Sequence, residues 1–130
     1  MNSYLIAAGV LAFVVGLVHS VLGEHLIFRR LRKSGVIPTY GGTLLGERHV
    51  RILWASWHIP TVLNWGMSCI LFWLASPQSA VVGTQFIEDT IATSMLCSAV
   101  LVFVGTKAKH PGWAGLLGVA VLIWLGRAAQ

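Results

Sequence analysis

YLIAAGVLAFVVGLVHSVLGEHLIF, residues 4–28, is an apolar run with one acidic residue, and the cationic cluster Arg29, Arg30, Arg32 and Lys33 follows it directly. Crossing the roughly 30 Å of bilayer hydrocarbon takes about 20 helical residues, so the run is long enough to span. The cluster behind it resists transfer into lipid. The run therefore predicts a first transmembrane helix, which we expect to be retained because it lacks a basic leader and a small-residue cleavage site.

Three further apolar segments follow the first one. The chain of 130 residues is 56% hydrophobic and only 10% charged, more apolar than a water-soluble domain of this size can bury in one core. The runs are continuous, without the alternation typical of a membrane barrel strand. We therefore predict an all-α integral membrane protein, one domain over residues 1–130, forming a four-transmembrane-helix bundle with spans at 4–28, 47–75, 84–106 and 111–126.

The positive charges predict the orientation. Basic residues at the ends of the first three segments fall on one side of the predicted bundle, and one arginine falls on the other. By the positive-inside rule the basic side is cytoplasmic and both termini are on the outer side, in a bacterial inner (plasma) membrane. Topology thus explains the net charge of +5, so the expected partner is the lipid bilayer and not nucleic acid.

Two histidines are predicted to lie deep in the membrane. His19 precedes Arg29 by ten residues and His58 follows Arg51 by seven, which at about 1.5 Å per residue gives depths of roughly 15 and 10 Å. An ionisable group inside a span is costly unless it is partnered, and it marks a site by default. We expect the two rings to face each other across a shared ligand. The alternative is that each is satisfied by a backbone group or a hydroxyl, such as Ser20, Ser56 or Thr61.

Glycines beside the first histidine favour a flat ligand. Gly16 and Gly23 share the helical face of His19, so a macrocycle could lie against them while the imidazole coordinates its iron. We therefore predict haem b with His19 and His58 as axial ligands. The alternative use of such glycines is close helix packing, which is common in membranes.

The second segment carries a polar stripe at helical spacing. Glu47, Arg51, Trp54 and His58 recur at intervals of four, three and four residues. In the haem interpretation Arg51 neutralises propionates and Trp54 lies between that arginine and the imidazole. In the alternative interpretation the arginine only anchors the helix end.

A short pattern, His19-x-x-x-Gly23-Glu24-His25, resembles the histidine-containing helices of small b-haem membrane anchor subunits of the succinate dehydrogenase class. The resemblance covers about seven residues and assigns the chain to no family. The resemblance implies haem binding. The leading hypothesis rests on the paired deep histidines beside glycine and arginine, and it is electron transfer with a quinone or a redox partner protein.

Two other functions remain open. The shallower residues Glu24, His25, Glu47, His49 and His110 could join the deep pair in a metal site for iron, copper or zinc, making the chain a metal-dependent membrane enzyme. Individually these residues are more typical of solvated or capping positions. Alternatively the polar stripe belongs to a non-enzymatic assembly subunit or a small proton-coupled transporter, and an oligomer is compatible with either.

Overall fold

Four α-helices make up the chain in a computed structural model that describes residues 3–76 and 85–128. They are α1 (Ser3–Leu26), α2 (Glu47–Ala75), α3 (Gln85–Thr106) and α4 (Gly112–Ala128), with a 3-10 turn at Phe28–Leu31 after α1. Each bound lies within two residues of the predicted one. The all-helical prediction is confirmed, and α1, α2 and α3 are long and apolar enough to cross a membrane. With 17 residues, α4 is at the lower limit for a span, and its crossing stays a prediction.

The described helices pack in a row, each on the next one along the chain. Helix α1 packs on α2, α2 on α3 and α3 on α4, while α1 and α4 make no comparable contact within residues 3–76 and 85–128. The short connection at 107–111 keeps α4 beside α3. Helix α1 buries only the narrow face that packs on α2. Apolar side chains on the outer surfaces of α1 and α4, such as Leu11, Leu122 and Leu125, are therefore exposed, as suits a protein solvated by lipid.

A line of glycines holds α1 against α2. The fully buried positions of α1 are Gly9, Gly16 and Gly23, spaced by seven residues and hence on one helical face. Side chains of α2 occupy the space that the glycines leave open. A β-carbon at Gly9 would lie 2.7 Å from the ring of Phe72, and one at Gly23 would overlap the Trp57 indole. We call this contact the glycine seam.

Hydrogen bonds set the register of the seam. The Ser68 hydroxyl donates to the Gly9 carbonyl at 2.8 Å, and the Thr61 hydroxyl donates to the Gly16 carbonyl at 2.9 Å. Two hydroxyls seven residues apart on α2 thus meet two carbonyls seven residues apart on antiparallel α1. Such bonds matter in a membrane because lipid provides no competing partner and little hydrophobic drive between helices.

Basic residues gather at one end of the row, which we call the basic end. It comprises the end of α1, the turn at Phe28–Leu31, the start of α2 and the connection between α3 and α4. The loop from 32 to 46 folds back here, because the backbone amides of Thr39 and Tyr40 both donate to the Leu31 carbonyl. This return places Arg32 beside α1, where it takes part in the candidate site.

The glycine seam predicts opposite effects for two identical substitutions. Gly→Ala in a helix normally stabilises by about 1 kcal/mol through propensity, and Gly118→Ala, with open space at its β-carbon, should be neutral or stabilising. Gly23→Ala should instead lower the free energy of unfolding by about 1–3 kcal/mol, because the new methyl group displaces Trp57. Thermal unfolding of both variants in the same detergent is the measurement. Equal changes in the stability of the two variants would contradict the close packing of α1 on α2 at Gly23.

Candidate functional site

A carboxylate in the last turn of α1 is the centre of the candidate site. Glu24 accepts hydrogen bonds from the Trp54 indole at 2.6 Å and from the Arg32 guanidinium at 2.5 Å. His58 Nε2 lies 3.3 Å from Glu24 Oε1. One carboxylate therefore links α1, the loop behind it and α2. Its side chain is 31% exposed at the basic end.

From Glu24 a chain of hydrogen bonds leads into the helix pair. His58 Nδ1 lies 2.7 Å from Ser20 Oγ, which lies 2.7 Å from Thr61 Oγ1. The Thr61 hydroxyl in turn donates to the Gly16 carbonyl of the glycine seam. Eight residues of α1 separate Glu24 from Gly16, about 12 Å at the usual helical rise. We call Glu24, His58, Ser20 and Thr61 the proton network.

The number of hydrogens on each group determines the direction of these bonds. Thr61 donates its one hydroxyl hydrogen to Gly16, so the hydrogen between Ser20 and Thr61 belongs to Ser20. Ser20 then has none left, and His58 Nδ1 must donate to it. His58 Nε2 and Glu24 Oε1 would repel each other as two bare acceptors, so one proton lies between them. The Arg32 cation stabilises the ionised form of the Glu24 carboxylate.

His19 makes a different set of contacts. Its Nε2 donates to the Trp57 carbonyl at 3.1 Å, and the Trp57 indole donates back to the His19 carbonyl at 3.2 Å. The two rings stack with centroids 4.5 Å apart and planes 8° from parallel. Phe28, almost fully buried, packs within 6.0 Å of both the Trp57 and His58 rings. His19 is thus part of a reciprocal clamp between α1 and α2.

The predicted haem ligands are brought to one layer of the structure, but protein groups surround them. His58 uses both ring nitrogens within the proton network, and His19 uses one in the clamp. The glycine face is covered by α2, since the Trp57 indole lies on Gly23, and Asn64 lies 3.1 Å from a β-carbon built at Gly16. A macrocycle does not fit between the helices in this arrangement. The haem prediction therefore rests on the sequence and stays a prediction.

The polar stripe of α2 divides between two places. Trp54 joins the candidate site, where it meets the His58 ring edge to face at 5.0 Å and donates to Glu24. Arg51 turns instead toward the end of α3 and reaches the Val104 carbonyl at 3.4 Å. The expected rim pair between Arg51 and Glu47 is present, with 3.6 Å between the charged atoms.

The shallower residues do not assemble around a common point. His25 and His49 are exposed, and His110 Nδ1 accepts a hydrogen bond from the Gly112 amide at the start of α4. Glu47 pairs with Lys107 at 3.3 Å. Within the part of the chain that the structure describes, no three His, Cys, Asp or Glu side chains converge in a way that would hold a metal ion.

Several members of the site carried no clear signal in the sequence. Arg32 follows Glu24 by eight residues across a helix end, a spacing that predicts no contact. Trp57 is next to His58, but nothing in the sequence indicates its contact with His19. For Gly9, a member of the glycine seam, the sequence does contain a signal, because Gly9, Gly16 and Gly23 repeat at a period of seven.

A separate cavity lies between α2 and α3 toward the other end of the row. It measures about 380 Å³, and both Cys69 and Cys97 line it together with Trp65 and Asp89. Both cysteines are free thiols. No histidine lines this cavity, so it does not belong to the candidate site.

Comparison of the chain with protein-family models, with curated proteins and with solved structures finds no match. The function has therefore to be argued from the geometry of the site. Of that geometry, the proton network is the part with the clearest chemical meaning.

Thr61 offers a direct test of the network. Thr61→Val keeps the shape of the side chain but removes the acceptor of Ser20 and the donor to Gly16, and should cost about 1–3 kcal/mol in the free energy of unfolding. Thr90→Val is the matched control, because the Thr90 hydroxyl donates to the Phe86 carbonyl one turn earlier in α3 and has no other hydrogen bond among the described residues. Denaturation in mild detergent measures both. Equal costs would show that the hydroxyl chain contributes nothing.

Proposed function

We propose that the chain is a small proton-coupled membrane protein in which Glu24 and His58 bind and release the coupling proton. The observation that carries the proposal is the hydrogen-bond chain from Gly16 to Glu24, which closes only if one proton lies between His58 Nε2 and Glu24 Oε1. Intramembrane carboxylate and histidine pairs are the usual components of proton relays in pumps and transporters.

Loss of that proton reverses the donor and acceptor roles along the proton network. Loss of one proton to water through Glu24 leaves a neutral imidazole, and exchange of its remaining hydrogen from Nδ1 to Nε2 directs that hydrogen toward the carboxylate. His58 Nδ1 then accepts from Ser20, and Ser20 accepts from Thr61. Thr61 has one hydrogen, so it no longer donates to the Gly16 carbonyl. The protonation state of the pair is thereby coupled to a contact of the glycine seam.

The protonation of His58 is directly measurable. In protein with ¹⁵N-labelled histidine, held in nanodiscs at acidic pH, we expect both ring nitrogens of His58 to carry hydrogen. Glu24→Gln removes the anion that stabilises this state, so one nitrogen should lose its hydrogen. Glu47→Gln, a carboxylate at the rim with no contact to His58, is the control and should leave the ring unchanged.

Proton flux tests the function itself. In reconstituted vesicles that contain a pH-sensitive dye, an imposed membrane potential should drive proton entry through the wild-type protein and through Glu47→Gln. Entry should fall to the protein-free rate with Glu24→Gln, because the binding pair is lost. If wild type and Glu24→Gln give the same flux, the proposal is wrong, whatever the state of the imidazole.

The proposal includes a location and an orientation. We place the protein in a bacterial inner membrane with the basic end in the cytoplasm, because Arg32, Arg48, Arg51 and Lys107 lie there. The proton would then exchange with cytoplasmic water at Glu24. Reporter enzymes fused to the C-terminus test this orientation. A reporter that is active only outside the cytoplasm should give a signal, and one that is active only in the cytoplasm should give none.

Haem b with electron transfer to a quinone is the second candidate. It is favoured by one observation, that His19 and His58 lie in neighbouring positions between the same two helices, with Trp57 contacting the first ring. Binding would require α1 and α2 to separate and His58 to leave Ser20. A reduced-minus-oxidised absorption spectrum of protein produced with ample haem decides it, since the absence of Soret and alpha bands excludes a b-type centre.

A further inference from the structure

A second polar cleft lies at the basic end, between the start of α2 and the connection from α3 to α4. It measures about 170 Å³, and six residues line it: Glu47, Arg48, Arg51, Thr106, Lys107 and Lys109. We call it the basic cleft. None of its residues belongs to the proton network, so its role is independent of the proposed function.

Arg51 is the least satisfied residue of the cleft. It is only 8% exposed, yet its contacts are long: 3.4 Å to the Val104 carbonyl and 3.6 Å to the Glu47 carboxylate. Its Nε is buried and has no hydrogen-bond partner among the described residues. A guanidinium carries five N–H donors, and a buried one without acceptors is costly. The Arg51 Nε–H therefore lacks an acceptor among the described residues.

The charges of the cleft are also unbalanced. Arg48, Arg51, Lys107 and Lys109 supply four positive charges, against the single carboxylate of Glu47. That carboxylate is already shared between Arg51 and Lys107. Helix α2 begins here with no side chain capping it at Gly46, so the positive end of its dipole adds to the excess.

The connection beside the cleft has an unusual backbone. Lys107 and Ala108 have φ angles of 53° and 59°, left-handed values that residues other than glycine adopt at a cost. This conformation places the Lys107 ammonium at Glu47, while the Lys109 carbonyl accepts from Arg48 at 3.2 Å. Two lysines are thus held at the cleft by a turn that an unconstrained chain would avoid.

We propose that the basic cleft binds a phosphate group. A phosphate oxyanion supplies the acceptor that the Arg51 Nε–H lacks and matches the planar donor fork of guanidinium groups. Its charge offsets the excess over Glu47, and the open start of α2 is a favourable place for an anion. The same chemistry is offered by an anionic lipid headgroup and by soluble phosphate, and the basic end is the position where a headgroup would lie beside a spanning helix.

The test measures thermal unfolding of the full chain in nanodiscs of phosphatidylcholine. One arm adds inorganic phosphate at constant ionic strength, and the other replaces part of the lipid by phosphatidic acid. We expect the unfolding temperature to rise in at least one arm. Arg51→Gln should weaken the apparent affinity about tenfold or more, because charged hydrogen bonds are lost. Arg29→Gln is the control, since it removes an exposed charge of the same end outside the cleft.

The two arms separate the sources of the phosphate. A rise with inorganic phosphate supports a soluble ligand, and a rise with phosphatidic acid alone supports a headgroup. If Arg51→Gln does not fold, Lys109→Gln replaces it, because Lys109 is exposed and lines the cleft. The proposal is overturned if neither arm shifts the wild type, or if the cleft variant and Arg29→Gln lose the same affinity. None of these results depends on the protonation of His58.

Discussion

The close approach of α1 to α2 is the constraint on which the rest of this structure depends. Lipid gives little drive for helices to associate, so the pair is held by packing and by hydrogen bonds across the glycine seam. Because Gly16 has no side chain, the Thr61 hydroxyl reaches a backbone carbonyl of α1. The same distance between the helices places Ser20 within 2.7 Å of His58. Fold and candidate site are consequences of one contact.

Glu24 is placed where stability alone would disfavour it. It lies in the last turn of α1, and the helix dipole is unfavourable for an anion there. Partial removal from water adds a second cost. Arg32, Trp54 and His58 offset both, yet an apolar residue would avoid the cost altogether. The proposed proton binding would account for a charged group in this position.

The limits of sequence reasoning follow from what is local and what is not. The helix bounds were predictable because apolar runs and the charges that end them are properties of adjacent residues. A hydroxyl partner for the deep histidines was foreseen as an alternative, and Ser20 fulfils it for His58. The contact of Arg32 with Glu24 depends on how a loop returns, and no spacing encodes that. Arg51 keeps its predicted contact with Glu47 but also reaches the Val104 carbonyl of α3, because a long side chain extends beyond what its Cα position suggests.

The two hydrogen bonds of the glycine seam differ in whether they are linked to the Glu24–His58 pair. At the far end Ser68 donates to Gly9, and among the described residues this bond is not linked by hydrogen bonds to Glu24 or His58. At the basic end the bond from Thr61 to Gly16 is the last member of a chain that begins at Glu24. In the proposed mechanism, deprotonation therefore weakens only one end of the seam. Helix α1 would be held at Gly9 and loosened near Gly16 and Gly23, which directs any movement to the face where the proton exchanges with water.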